Sequence, residues 1–442
     1  MSEVRSTAVV GLGASNAAVV RHLYGTTSLV AIDDRTEPPG FVGLARDCPD
    51  VHYQTGPDAR VDWNGVERAI VAPGLGPRHP LLDGKPEDVA IDCDIGLFCD
   101  AANAPVIGIT GTNGKSTVTA LVGHLLEAFG LNVGVGGNIG APALTILDGA
   151  REAYVLELSS FQIELAAKLE LAAATVLNVS DDHLDRHGDI DSYAAIKRRI
   201  FASAEQRIYN AEDARTTPRP AQVQDVAFGD GARWSVNADG WLTFDGAALL
   251  PGDQLPLAGQ HNANNALAAL ALCGALEHPR IPEVSAAADK YACALRSFVG
   301  LPHRAQRVAT IDGVHYVDDS KATNVGASVA ALQGMGERVI LLLGGQGKGA
   351  DFAPLAAPAA KHARRVLVYG EDAARIASAL QGHASLSRCG GLDDAFAAAV
   401  DGAVAGDTVL LAPACASFDE FDNFEARGRH FQDLVNALEG QR

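Results

Sequence analysis

The chain has 442 residues, a formal net charge of −19, 48% apolar residues and 20% charged residues. That length and balance exclude a disordered chain and allow about two to four globular domains. The acidic field disfavours nucleic acid and anionic membrane as partners, and no apolar run of about 18 residues marks a transmembrane helix.

The N-terminus, MSEVRSTAVVGLG, lacks the apolar stretch and small-residue cleavage site of a signal peptide. Seven cysteines are scattered without a CxxC pair, which reads as reduced thiols in a cytoplasm, neither a disulfide frame nor a zinc site. From there the pattern is strand, glycine turn, helix, repeated. TAVVGLG, SLVAIDD, RAIVAPG, PVIGITG, AYVLELS, ATVLNVS, HYVDDS, RVILLLGG, RVLVYG and DTVLLAPA are short apolar runs without strict alternation, as strands buried on both faces require. Ala-rich helical stretches separate many of them. The expected fold is α/β in three domains, each built on a largely parallel sheet flanked by helices. Residues 1–95 form a Rossmann-like domain. Residues 96–299 form a P-loop ATPase-like domain with a polar, strand-like insert near 205–255. Residues 300–442 form a second Rossmann-like domain.

In the first block, VVGLGASNAAVV looks like a dinucleotide fingerprint, and SLVAIDD supplies Asp33 and Asp34 where a ribose-binding acid would sit. This suggests an NAD-dependent oxidoreductase. Against it, Asn16 stands at the third glycine, compromising close helix–strand contact, and hydride transfer needs no second phosphate loop.

That second loop lies in GITGTNGKSTVTALVGHLL, residues 108–126. Val106–Thr110 reads as a strand, the turn holds Gly111, Thr112, Asn113 and Gly114, and a helix begins at Lys115. Glycines let several N–H groups face one anion, and the helix N-terminus adds partial positive charge. Lys115 can reach the outer phosphates of ATP, and the hydroxyl of Ser116 or Thr117 can ligate Mg²⁺. Ile109 stands where the standard G-x-x-x-x-G-K-[ST] loop has its first glycine.

AYVLELSSFQ ends a buried strand on Glu157, a carboxylate that needs a cation or donors. TVLNVSDDHLDRHG brings Asp182, His183, Asp185 and His187 to another strand end, a cluster suited to metal or proton chemistry. Lys197, Arg198 and Arg199 close a helical stretch, where spacing alone reads as favourable charge at a helix C-terminus. Taken singly, GGQGKGAD reads as an ordinary loop and PACASFD as a strand-end turn.

TGTNGKST, with VGVGGNIG, YVLELSSFQ, TVLNVSDDHLDRHG, GQHNANNALAALAL, GLPHR, DDSKATN, LLLGGQGK and PACASFDEFDNFEARG, resembles the Mur ligases, relatives of the folylpolyglutamate synthetases. The similarity runs across almost the whole chain. The last domain lacks an Asp-Asn-Pro-Arg motif and resembles the glutamate-adding branch. The resemblance implies an ATP-dependent carboxylate–amine ligase joining D-glutamate to UDP-N-acetylmuramoyl-L-alanine through an acyl phosphate, in peptidoglycan precursor synthesis. It implies a cytoplasmic monomer with two Mg²⁺ sites and a lysine carbamate formed from CO₂.

Position by position, the resemblance assigns Gly111–Thr117 to ATP, with Lys115 and Ser116 serving phosphate and Mg²⁺. Asn262, Asn265, Arg304 and Asp319 fall around adenosine, with His303 beside the domain junction. Gly13, Ser15, Asp33, Asp34, Arg35 and Gly74 face the UDP moiety, while Asn138 and His183 lie near the muramoyl portion. Ser116, Glu157, His183 and carbamylated Lys197 support the metals; Lys115, His183 and Lys197 are the implied catalytic groups. Lys321, Thr323, Lys348, Ser417 and Phe424 surround glutamate, Phe424 through its backbone. Ala14-Ser15-Asn16 and Ala72 depart from the family pattern in the UDP pocket. Two readings stay open beside this one: a related ligase using L-glutamate, and a nucleotide-driven binding module without synthesis.

Overall fold

A computed structural model describes residues 6–76, 78–256, 260–382 and 385–441, with the side chains of Asp185, Gln260 and Gln441 outside the description. Residues 1–5 and Gly259 of the GQHNANN motif therefore lie outside the described residues. Three sheets follow one another along the chain, of five, nine and six strands.

The first sheet comprises β1 (Ser6–Val10), β2 (Ser28–Asp33), β3 (His52–Thr55), β4 (Val66–Val71) and β5 (Ala90–Asp92). Its order is β3-β2-β1-β4-β5, all parallel. Helices α1 (Ala14–Leu23) and α2 (Phe41–Asp47) supply crossovers. The order reverses beside β1, which opens a crevice at the carboxyl ends of the strands. Asn16 does not loosen this unit. Its side chain is fully buried, and Nδ2 donates to Val10 O at 3.0 Å and Ile70 O at 3.3 Å. The amide thus ties the helix to two strands where a glycine would only have allowed close approach.

Helix α3 (Asp94–Ala101) runs across the 95/96 division and leads to β6 (Val106–Thr110), α4 (Lys115–Ala128), β7 (Val133–Gly137), β8 (Ala153–Glu157), α5 (Ser160–Leu165), β9 (Leu171–Val176), α6 (Leu184–His187) and α7 (Ile190–Arg198). The strand-like insert is β10 (Ala204–Asn210), β11 (Val226–Phe228), β12 (Trp234–Val236), β13 (Trp241–Phe244) and β14 (Ala247–Pro251). It extends the central sheet, ordered β14-β13-β12-β11-β10-β9-β6-β8-β7 and antiparallel only at its β12–β14 edge. Helices α8 (Gln260–Gly274) and α9 (Ala288–Ser297) cover one face. On the other face, one apolar cluster runs from the first sheet through Phe98, Ile163 and Tyr193. The first two units therefore share a core.

The last sheet holds β15 (Gln306–Ile311), β16 (Val314–Asp318), β17 (Val339–Gly344), β18 (Ala363–Tyr369), β19 (Leu386–Arg388) and β20 (Thr408–Leu411), in the order β15-β16-β20-β17-β18-β19. Only the β15 edge is antiparallel. Its helices are α10 (Val325–Gly334), α11 (Ala356–His362), α12 (Ala373–Ala379), α13 (Leu392–Gly402) and α14 (Phe424–Gln441). Two apolar clusters of its own fill this unit.

Arg427 of α14 is fully buried and donates to Ser320 Oγ, Ser320 O, Cys415 O and Gly344 O. It pins the helix to the loops at the carboxyl ends of the strands. Arg427→Leu strands three carbonyls, and charge-assisted bonds of this kind contribute more than neutral ones. A loss of about 2–4 kcal/mol is expected from urea unfolding. A loss under about 1 kcal/mol would show that the carbonyls find other donors.

Candidate functional site

The phosphate loop forms where the sequence places it. β6 ends at Thr110, and Gly111 and Gly114 take left-handed φ angles of 158° and 82°. A Cβ at Gly114 would lie 2.5 Å from Asn265 Oδ1, so this position has neither the conformation nor the space for a side chain. The loop is braced from β9: Thr112 N donates to Asn178 O at 2.9 Å, Asn113 N to Asn178 Oδ1 at 2.9 Å, and Ser180 N to Thr112 Oγ1 at 3.0 Å. Asn178 and Ser180 are bracing residues that the sequence reading passed over.

Lys115 Nζ folds back onto Gly111 O at 2.9 Å and Thr112 O at 2.7 Å. Burial pushes its ammonium below the usual lysine range, against the pull of Glu157 and Asp182. Ser116 accepts from Arg304 Nη2 at 2.6 Å, a contact between the central and last domains. Arg304 thus reaches the first turn of α4, beside the loop.

A cavity of about 1070 Å³ surrounds this loop. Its wall carries the charged and hydroxyl groups Lys115, Ser116, Glu157, Asp182, Arg304 and Lys321, and also the neutral side chains Asn210, Phe228, Asn264 and Asn265. Asn265 Nδ2 donates to Asn262 Oδ1 at 3.0 Å. Charged groups suit phosphates, and amide and aromatic side chains suit a nucleobase. Asp319 also lines the cavity, and burial raises its carboxyl to about 7. His303 serves the fold as well as the wall, because its Nδ1 lies 2.6 Å from the fully buried Asp318 carboxylate.

At the end of β8, Glu157 is 3% exposed. Its Oε1 accepts from Asn138 Nδ2 at 2.7 Å, while Oε2 has no hydrogen-bond partner. A buried, half-satisfied carboxylate beside a phosphate loop fits a divalent cation. Among the described residues no three His, Cys, Asp or Glu side chains are grouped to hold a metal. A cation here would draw its remaining ligands from phosphate oxygens and water, as Mg²⁺ commonly does.

Lys197 is 1% exposed at the end of α7. Its Nζ lies 2.8 Å from Gly111 O and 4.4 Å from the centre of the Tyr193 ring. It forms no ion pair with a carboxylate among the described residues. Burial, then the neighbouring Lys115, hold the ammonium well below the usual lysine range. His187, also buried, stacks on Tyr193 with ring centres 5.2 Å apart. Tyr193 is a further residue that the sequence reading missed, because nothing in DSYAAIK distinguishes it from a core aromatic.

His183 adopts a left-handed φ of 53°, with its ring half-exposed and 5.0 Å from Phe161. It does not line the cavity, whereas its neighbour Asp182 does. The expected glutamate set divides. Lys321, Thr323 and Phe424 line the cavity, with Lys321 Nζ 4.0 Å from the centre of the Phe424 ring. Lys348 and Ser417 sit on two other loops, joined by a bridge between Gln346 and Ala416. Lys348 is exposed with its Nζ 5.1 Å from the Phe418 ring centre, and Ser417 is buried.

A second cavity, of about 640 Å³, opens at the crevice of the first sheet. Gly13, Ser15, Asp33, Asp34, Arg35 and Gly74 all line it. Asp33 accepts from Leu12 N at 2.6 Å and from the Arg35 backbone and guanidinium. Burial alone would raise its carboxyl, but the Arg35 and Leu12 hydrogen bonds hold it below the usual range. Asn138 and Gly140 line both cavities, so the two meet beside Glu157.

Family models match most of the chain: "Mur ligase MurD-like, N-terminal domain" over residues 5–89, "Mur ligase middle domain" over 109–273 and "Mur ligase, glutamate ligase domain" over 303–415. UDP-N-acetylmuramoylalanine--D-glutamate ligase of Marinobacter nauticus is 43% identical, covering 98% of both chains. The protein of the same name from Pseudomonas aeruginosa is 44% identical, covering 97% of both. Among solved structures, UDP-N-acetylmuramate-alanine ligase of Thermotoga maritima matches with a TM-score of 0.58 at 19% identity, covering 98% of this chain and 99% of its own. FolC of E. coli, in complex with DHPP and ADP, matches with a TM-score of 0.58 at 20% identity, covering 81% of this chain and 96% of its own. The Thermotoga maritima structure shares the fold over nearly the whole chain, and FolC over the part that it covers. Among the described residues, no helix is long and apolar enough to cross a membrane.

Proposed function

This chain belongs to the Mur ligase family, and from that premise we propose that it joins D-glutamate to UDP-N-acetylmuramoyl-L-alanine, using ATP, in peptidoglycan precursor synthesis. The observation that carries the reading is the meeting of two cavities at Asn138 and Gly140. A UDP-linked acceptor in the smaller cavity can extend its far end toward Glu157. ATP in the larger one can present its γ-phosphate there. The protein works as a monomer in the cytoplasm.

The acceptor carboxylate attacks the γ-phosphorus, the bond to ADP breaks, and an acyl phosphate forms. The amine of glutamate then attacks the acyl carbon, loses one proton, and phosphate leaves. Lys115 and the loop N–H groups align and neutralise the transferring phosphoryl group. Arg304 exchanges the Ser116 hydroxyl for nucleotide oxygens. Glu157, with the Ser116 hydroxyl, would hold Mg²⁺, which would neutralise phosphate charge. His183 and Lys197, as a carbamate, would supply ligands to the expected second metal. Lys321, Thr323, Lys348, Ser417 and Phe424 receive glutamate.

Carbamate formation requires a neutral amine, and the buried Lys197 meets that condition without a carboxylate partner to hold it charged. Three anionic reactants meeting in one place also account for several cations in an acidic protein.

The test is ATP-dependent phosphate release with Mg²⁺, the UDP acceptor and either enantiomer of glutamate, each component omitted in turn. Release that needs every component, with D-glutamate, is the expected result. Release with L-glutamate alone keeps the mechanism and overturns the substrate. Release without any amino acid points to the nucleotide-driven module.

The smaller cavity gives a separate expectation. Asp33→Ala frees Leu12 N and Arg35 from their shared carboxylate, which weakens UDP-acceptor binding by about 1–3 kcal/mol. KM for the acceptor rises about tenfold while kcat stays within about twofold. An unchanged KM in a variant with native melting behaviour would remove the acceptor from this cavity.

A further inference from the structure

The pairing of β6 with β9 does not stop where the two strands do. Thr110 stands opposite Val176, and Leu177 N donates to Thr110 O at 2.9 Å. Thr112 N then donates to Asn178 O at 2.9 Å, which carries the main-chain pairing past Gly111 into the phosphate loop. One step further the Asn178 side chain takes over. Its Oδ1 accepts from Asn113 N at 2.9 Å, and its Nδ2 donates to Asn113 O at 3.0 Å. A primary amide carries the same donor and acceptor as a peptide, so Asn178 continues the ladder with a side chain. The two bonds fix the amide's orientation, because its flipped form would set donor against donor and acceptor against acceptor.

This clamp divides the N–H groups of the loop. Those of Thr112 and Asn113 are spent on Asn178. Those of the first turn of α4 have no side-chain cap, and helix geometry gives them no partner within the helix. Asn178, Asn113, Gly114, Lys115, Ser116 and Thr117 all line the larger cavity. The last domain touches the same place: a Cβ on Gly326 of α10 would stand 3.5 Å from Asn113 Nδ2 and 3.4 Å from Ser180 Oγ. Asn113 therefore lies between the central and last domains, held by hydrogen bonds to the former.

Taking the larger cavity as the ATP site, we propose that Asn178 is a positioning residue for phosphoryl transfer. Its amide fixes the Asn113 peptide, so that the free N–H groups of α4 and the Lys115 ammonium meet the phosphates in one arrangement. The reason is geometric. Gly111 and Gly114 bring conformational freedom along with the angles the turn needs. A loop held at the peptide between them cannot use that freedom, and the reacting groups stay aligned. Lys115 Nζ is bonded to Gly111 O and Thr112 O, just before the clamped peptide, so its place depends on the same stretch. Alanine at 178 keeps the main-chain bond from Thr112 and removes both bonds to Asn113. Glutamine keeps the amide but carries it one methylene too far.

The experiment compares Asn178→Ala and Asn178→Gln with the unsubstituted full chain in phosphate release with all substrates present. In both variants kcat should fall about 10–100-fold. KM for the UDP-linked acceptor, whose cavity Asn178 does not line, should stay within about twofold. A kcat within about threefold of the unsubstituted value overturns the proposal. So does a matching rise in acceptor KM, which marks general loosening of the fold. Amide hydrogen exchange resolved by NMR reads the clamp directly. Asn113 N–H and Thr112 N–H should both be protected in the unsubstituted protein. In Asn178→Ala protection should vanish at Asn113 and persist at Thr112, whose acceptor is main-chain. Exchange at Asn113 in the unsubstituted protein as fast as in an unstructured peptide overturns the proposal, however the variants fold. If the unsubstituted protein releases no phosphate with any substrate set, the reading of the reaction falls separately. The exchange pattern and the Kd of a non-hydrolysable ATP analogue with Mg²⁺ then decide the clamp. That Kd should rise about threefold to tenfold in Asn178→Ala, and an unchanged value overturns the role of Asn178.

Discussion

Lys197→Ala is expected to abolish amide synthesis, a loss of at least about 10³-fold in kcat, and added bicarbonate should not restore it. The side chain is enclosed by the Gly111 carbonyl, Thr110 Oγ1 and the Tyr193 ring. A charged ammonium in that setting would sit beside the Lys115 ammonium, close to where phosphates and magnesium must gather. A carbamate reverses the sign and gives the site a carboxylate-like group that alanine cannot provide. Lys197→Arg should fail as well, because guanidinium stays protonated and cannot take up CO₂. The measurement is phosphate release with all substrates present, paired with the carbon-13 signal of a ¹³CO₂-derived carbamate. Near-normal turnover in Lys197→Ala would sink the carbamate role. Full activity with no carbamate signal in the unsubstituted protein would do the same.

Why this lysine was hard to judge from spacing, and Lys115 was not, lies in what each depends on. The phosphate loop is local: a strand, two glycines in left-handed conformations and a helix N-terminus fall within one short stretch, and glycine is the residue that admits those angles. Lys197 ends a helix like many surface lysines, and only tertiary packing, which brings its ammonium to Gly111 O and Thr110 Oγ1 at the end of β6, buries it. Contacts that close over long separations carry no local signature. Arg304 meets Ser116 across 188 residues. Asn16 illustrates the converse. By pattern it is a defect in a glycine fingerprint, yet two buried hydrogen bonds to Val10 and Ile70 make it a clasp. The three-layer α/β architecture was legible because buried parallel strands need continuous apolar runs. The division of the expected glutamate residues was not, since loop positions depend on how the ends of β17 and β20 are joined.

Lys115→Ala should cost about 10²–10³ in kcat, the scale seen when one preorganised donor is removed from a developing charge. This ammonium sits at the loop, bound to Gly111 O and Thr112 O. Those carbonyls orient it, so little reorganisation is needed when phosphate oxygens arrive. Arg304 is another cation on the cavity wall, but its guanidinium is committed to Ser116 and comes from a different domain. It therefore cannot repeat the geometry that Lys115 has from the first residue of α4. Lys115→Arg should recover little, because a planar fork replaces a point charge in a space bounded by Glu157 and the loop backbone. The discriminating readout is the split between parameters. If Lys115 acts mainly in the transition state, kcat and kcat/KM fall together while KM for ATP changes by less than about fivefold. A rise confined to KM would make it a ground-state anchor, and the burden of phosphoryl transfer would pass to Arg304 and the metal held by Glu157.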